Sequence, residues 1–319
     1  MQSNGLSLSK NQKYIVSTYF DFSLYKLNGK DITFVKNLGE LKNPDRAVFF
    51  DNDSKILVRN NNTLIEVYDI NTLKRLFKRR CSGAYEGQIH FVDNDTFISS
   101  NSKGSVYSLC ISENSIKYHV QEIRLVNTDI FHLKAKKFIL IGESEASQRT
   151  QIYLLIWDGK SLISKHLYST SLTFWNQMLF MDSRLYFVTL DNRLVEYEYH
   201  ETDDSLTDER IIHDFSKHNL ENIFDHKECI SEIFDLPFVL IFRNMCLCGN
   251  NKHLTLAFNG GLVVLDAASF EFVSIIPTKD WIDTILITED KYLWLSSGLS
   301  VRVCLIDDVA KGIYNPVIL

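Results

Sequence analysis

The feature that most constrains this chain is a recurrence. Seven segments share one shape, a polar turn followed by a short apolar strand: "NQKYIVST", "NDSKILVR", "DNDTFISS", "AKKFILIG", "DSRLYFVT", "NKHLTLAF" and "EDKYLWLS". One equivalent apolar residue from each, namely Ile15, Ile56, Phe97, Phe138, Leu185, Leu254 and Leu293, gives intervals of 41, 41, 41, 47, 69 and 39 residues. A second apolar strand follows at a near-constant offset ("SLYKLN", "LIEVYDI", "SVYSLCI", "IYLLIWD", "RLVEYEY", "LVVLDAA", "VRVCLID"). A third, more charged strand comes next in most copies ("ITFVKNL", "LKRLFKR", "SIKYHVQ", "SLISKHL", "ERIIHDF", "FEFVSII"). Before the anchors there is room for one more short strand, as in "AVFF", "QIHFV", "QMLFM" and "DTILIT".

Four short strands in about 40 residues is the period of a β-propeller blade. Blades pack face to face, so their middle strands are covered on both sides and read as continuous apolar runs such as "FILI" and "YLWL" rather than as strict alternation. The outermost strand keeps one edge in solvent and carries charge, which also discourages sheet-to-sheet association. The expected fold is all-β: a seven-bladed propeller of four-stranded antiparallel blades with a short helical insertion between blades 5 and 6. It is one domain over 1–319, with blades near 1–42, 43–84, 85–126, 127–169, 170–215, 216–278 and 279–319. The C-terminal "IYNPVIL" supplies the last outer strand, where Pro316 is tolerated because an edge can lack a donor.

Three stretches resemble the WD-repeat propeller family: "VYDINTLKRL" (67–76), "IWDGKSLISKHL" (156–167) with a literal Trp-Asp, and "VLDAASFEFV" (264–273). The resemblance extends over nearly the whole chain in period and strand order. The family's Gly-His pair is absent from every blade. What the resemblance implies is the fold and a scaffold role, without naming a partner.

Composition narrows the function. With 45% hydrophobic and 12% aromatic residues the chain can build a large core. No apolar run reaches the roughly 18–20 residues of a bilayer span. The start "MQSNGLSLSKNQ" lacks a signal-type apolar region. Six scattered cysteines read as reduced thiols, so a cytoplasmic setting and a monomeric fold are expected. A net charge of −6 opposes an extensive phosphate-binding surface, which leaves the basic run 74–80 as an edge guard. Histidines and cysteines at 226, 229, 246, 248 and 253 have irregular spacing for zinc, and no nucleophile elbow or Gly-rich phosphate loop occurs. His90 and His132, on expected inner strands, are isolated candidates for chemistry. Asp203 and Asp204, in "ETDDSLTDE", read as solvated turn residues. No cofactor and no metal is expected.

Function is therefore sought where the period breaks. The 47-residue interval places its excess at 142–151, between the second and third strands of blade 4. The 69-residue interval carries an insertion at 215–238, where Leu220, Ile223, Phe224, Ile230, Ile233 and Phe234 recur with helical spacing and Ser216 is placed to cap the start. In an antiparallel meander both connections emerge on one face. That face is the expected surface for a protein or peptide partner, with Arg149, Phe224, His226 and Phe234 as its contact residues. The alternative is a hydrolase or lyase with a site at the mouth of the central channel.

Overall fold

The structure, a computed structural model, describes residues 5–18, 22–38, 44–60, 64–80, 88–100, 105–119, 125–224, 240–278, 282–297 and 300–318. Seven antiparallel sheets span 5–38, 44–80, 90–119, 125–170, 174–214, 242–277 and 284–318, each a simple meander of consecutive strands. This is the expected seven-bladed propeller. Every anchor residue of the repeat sits in a second strand and is at most 2% exposed. Successive blades bury clusters between them, as where Val16 and Leu24 of blade 1 meet Ile56 and Val58 of blade 2. No helix among the described residues is long and apolar enough to cross a membrane.

The aspartates that end the third strands brace the turns to the outer strands. Asp69 accepts hydrogen bonds from the Thr72 amide and hydroxyl, at 2.7 and 2.8 Å. Asp158 receives the Lys160 and Ser161 amides at 2.7 Å each, and Asp266 those of Ala268 and Ser269 at 3.0 and 2.8 Å. These donors favour the ionised carboxyl, and Asp158 is held down at about 2. Asp307 departs from the set: it lies in the first turn of a short helix, Ile306–Ala310, that replaces the tight turn of blade 7.

The basic outer strands do more than guard an edge. Lys36 donates from Nζ to the Leu73 carbonyl of blade 2 at 3.3 Å, and Arg79 from Nη1 to Asn114 Oδ1 of blade 3 at 2.8 Å. Lys117 reaches the Lys160 carbonyl of blade 4 at 3.1 Å, and Lys165 the Asp204 carbonyl of blade 5 at 2.9 Å. Each therefore clips the third-to-outer-strand turn of the next blade. Asp204, expected to be solvated, is in fact half-buried and ion-paired to Lys137 Nζ at 2.5 Å, with the Tyr199 hydroxyl also on it. The correction follows from blade packing, which lays this turn against blade 4. In blade 5 the outer edge is split, Ser205–Leu206 and Arg210–Asp214 both pairing with Arg193–His200.

Ring closure uses no strand exchange among the described residues. Blades 1 and 7 each take their four strands from one contiguous stretch, with Val317–Ile318 as the last outer strand. The seam is sealed by Leu6, Ile15 and Leu27 against Trp294 and Val303, and by the Gln12 side chain accepting the Glu289 amide at 2.6 Å. Trp294 is wholly buried and donates its indole N–H to Thr288 Oγ1 at 2.8 Å. Trp294→Ala should cost about 3–5 kcal/mol in urea denaturation, because the cavity opens at the junction that closes the ring; a loss below about 1 kcal/mol would show that the seam carries little of the stability.

Candidate functional site

The inner strands surround a central channel with a volume of about 710 Å³. Its wall is built from the first residues of all seven inner strands, including Ser7, Arg46, Gln88, Thr128, Trp175, Arg243 and Thr284. Because the inner strands begin where one blade hands over to the next, the channel opens on the face that carries the blade-to-blade connections. In blades 2, 4, 5 and 6 the pairing register shifts at this point, between Pro44 and Arg46, Val126 and Asp129, Phe174 and Met178, and Phe242 and Asn244. Such bulges re-aim side chains that strict alternation would send elsewhere.

The wall is polar and charge-bearing. Burial lowers the pKa of Arg243, and the charge of Asp283 across the blade 6–7 seam only partly offsets it. Asp129 is 4% exposed, and its Oδ1 accepts the Gln88 and Ile130 amides at 2.8 and 2.9 Å. Burial pushes this carboxyl up to about 6, against the pull of the Arg46 and Arg59 charges. His90 lies next to it, its Nε2 2.6 Å from the Ile130 carbonyl, and burial lowers it to about 4. His132, half a strand further on, meets the Ala135 carbonyl at 3.1 Å. The two histidines are thus engaged with backbone and packed against Phe138.

The blade-4 break and the described start of the other, 215–224, lie on the same face. The blade-4 turn carries Arg149, which is exposed and donates from Nη2 to the Ser169 carbonyl at 2.9 Å. The other break begins with a 3-10 turn, Phe215–His218, and a one-turn helix, Leu220–Phe224. Asp214 caps the first of these in place of Ser216, accepting the Ser216 amide and hydroxyl at 3.2 and 2.6 Å. Phe224 is not available to a partner: it is fully buried with Phe215, Leu220 and Phe258 in the blade 5–6 core. It lies on the Gly260–Gly261 turn. A Cβ on Gly260 would stand 2.7 Å from the Phe224 carbonyl oxygen, and one on Gly261 would enter the Phe224 ring. The Gly-Gly pair is the footprint of this docking. His226 and Phe234 lie outside the described residues, as do Cys229, Ile230 and Ile233.

Cys246 and Cys248 share one strand, and burial raises both thiols above their ordinary range, which makes them poor metal donors. Among the described residues no group of three or more potential ligands is placed to hold a metal.

Sequence reading missed Arg46, Asp129, Trp175, Arg243 and Asp283. A signal was there. Each lies 9–11 residues before its blade's buried anchor, so counting back about ten positions finds the channel wall or, for Asp129, the recess beside it.

No protein-family profile matches the sequence, and no curated protein sequence does. Solved structures match in fold. The β-propeller domain of Myceliophteria thermophila Cps50 (Swd1) superposes with a TM-score of 0.69 at 9% identity, over 96% of this chain and 97% of that one. U3-55K gives 0.65 at 11% identity, over 93% and 89%. The fold these comparisons share with the chain is the β-propeller, here with seven blades. BamB from Moraxella catarrhalis is similar at 0.58 and 12% identity, over 94% and 81%. Identities this low carry the β-propeller architecture and nothing of its partners.

The neighbouring His90 and Asp129 should pull the acid response in opposite directions. Below its ordinary value of 6.5 the unfolded histidine takes up a proton that the folded one refuses down to about 4, so His90 removes stability as pH falls through that window, by roughly 3 kcal/mol at most. Asp129 holds a proton below about 6 that an unfolded aspartate releases down to 3.8, so it adds stability as pH falls over nearly the same range. His90→Gln removes the first contribution. Its unfolding free energy at about pH 4.5, relative to neutral pH, should exceed the wild-type difference by about 2 kcal/mol in urea titrations; equal pH profiles would mean that the histidine titrates alike in both states. Separately, Gly261→Ala should destabilise by about 1–3 kcal/mol through overpacking against Phe224, read from its urea midpoint.

Proposed function

We propose that this propeller is a non-catalytic scaffold that binds a protein or peptide across the channel mouth and the adjoining blade-4 turn. The observation that carries the reading is the asymmetry of the disc. The channel, the 142–151 turn and the described start of the blade 5–6 connection, 215–224, all lie on one face, whereas the opposite face is made mostly of tight turns braced by aspartates and clipped by lysines. Leu190, 47% exposed at the channel rim, adds apolar surface there. The two inner-strand histidines, His90 and His132, meet backbone carbonyls, and the third-strand Asp69 and Asp158 hold turns. WD40-type architecture in the Swd1 propeller and U3-55K supports a scaffold reading at the level of fold.

The test is selection of peptides from a random display library on the immobilised protein, followed by affinity measurement on face variants. Arg149→Glu and Leu190→Asp, both at exposed positions on the channel face, should weaken selected peptides at least about tenfold, or about 1.4 kcal/mol. Lys30→Glu and Lys252→Glu, on exposed turns of the other face, should change affinity less than about twofold. Failure to enrich any peptide, or sensitivity confined to the second pair, would overturn the assignment.

A further inference from the structure

A side recess opens off the channel between blades 4 and 5. It has a volume of about 40 Å³ and shares Asn127, Glu143, Thr173, Phe174 and Trp175 with the channel wall. Asp129 and Phe131 complete its chemistry-bearing lining. Its fixed charges are one-sided: two carboxyls line it, whereas Arg46 and Arg243 belong to the wider channel and not to the recess.

Both carboxyls have an oxygen to spare. Asp129 uses Oδ1 for two backbone amides, and its Oδ2 accepts no hydrogen bond from any described residue. Glu143 receives Asn127 Nδ2 on Oε2 at 3.2 Å, and its Oε1 likewise accepts none. The bulge between Val126 and Asp129 is what turns Asp129 towards the recess. Around the acids stand three aromatic rings. Phe174 is fixed by stacking on Phe187 at 4.9 Å, and Phe131 meets the same ring edge-on at 6.5 Å. Carboxylates with open lone pairs and aromatic rings with negative faces both attract cations.

Shape narrows the class. The recess is small and opens into the channel, so it suits a compact point charge whose stem runs out into the channel better than a broad planar guanidinium. We propose that this recess is the subsite for a single primary-ammonium head carried by the bound partner, either a lysine side chain or a peptide's N-terminal amine. The proposal rests on the scaffold reading above and supplies its recognition chemistry. Asp129 and Glu143 accept from the ammonium, the rings of Phe131, Phe174 and Trp175 exclude water around it, and Arg46 in the channel repels a second cation.

The experiment is a titration of the intact, isotope-labelled protein followed by nuclear magnetic resonance at the Trp175 indole and Gly142 amide. The probes are Nα-acetyl-lysinamide, glycinamide, the neutral isostere Nα-acetyl-norleucinamide and the anionic Nα-acetyl-glutamate amide. Saturable shifts with lysinamide or glycinamide, and none with the other two, are expected; whichever of the ammonium probes binds more tightly names the source. Glu143→Gln, at a half-buried position that holds no backbone, should raise the dissociation constant at least about fivefold with an unchanged melting temperature. Asp129→Asn should do the same or more. The proposal falls if norleucinamide shifts both signals equally, if the anionic probe is preferred, if no probe saturates, or if Glu143→Gln binds as the wild type does. Peptides that enrich on the channel face of a protein failing this titration would leave the scaffold reading standing and remove only the ammonium subsite. Saturable ammonium binding without peptide enrichment would do the reverse.

Discussion

Face-to-face burial of the middle strands is the constraint on which the rest of the molecule depends. A propeller blade is a four-stranded sheet too small to hold itself together, and each becomes stable only when neighbours cover both of its sides. Here that covering is almost complete. The second strand of every blade is sealed, from Ile15 and Val16 in blade 1 to Leu293 and Leu295 in blade 7. Once those strands are fixed, the inner strands have no freedom but to converge, and the channel follows as the space their first residues leave. The polar character of that space is tolerable because it is open at the mouth; the same arginines and acids one residue further along each strand would lie in apolar packing.

The repeat was legible because burial on two sides demands continuous apolar runs, and such runs repeat visibly at a fixed interval. The seven sheets, the aspartate-braced turns at Asp69 and Asp158 and the single face bearing both period breaks all follow from that pattern. Legibility ended where local rules compete. Phe224 satisfies helical spacing, yet its fate is decided by Gly260 and Gly261, more than thirty residues away, which no periodicity links to it. Asp204 reads as turn polarity until blade 4 supplies Lys137. Asp129 and Arg243 sit at bulges, where the two-residue alternation that makes a strand readable is interrupted by design.

Variation around the third-strand aspartates also has a physical reading. A third-strand aspartate can stabilise its own turn with nothing but the next three residues, so Asp69, Asp158 and Asp266 keep the role although the residue before them changes from Tyr to Trp to Leu. That network is local, drawing its donors from the turn itself. Fold similarity at 9–12% identity is what such a division of labour permits: burial and local turns specify the architecture, and few particular side chains are indispensable.

The outer-strand clips have a direction. Lys36, Arg79, Lys117 and Lys165 each reach from one blade to the following one, and Ser274 of blade 6 does so towards the Val309 carbonyl of blade 7 at 2.7 Å. A chain emerging from its N-terminus therefore completes each blade before the acceptor for that blade's clip exists. Assembly acquires the logic of a ratchet: at each of these five junctions the new blade secures the one made before it, and the last surface to find its mate is the seam around Trp294 where the final blade meets the first.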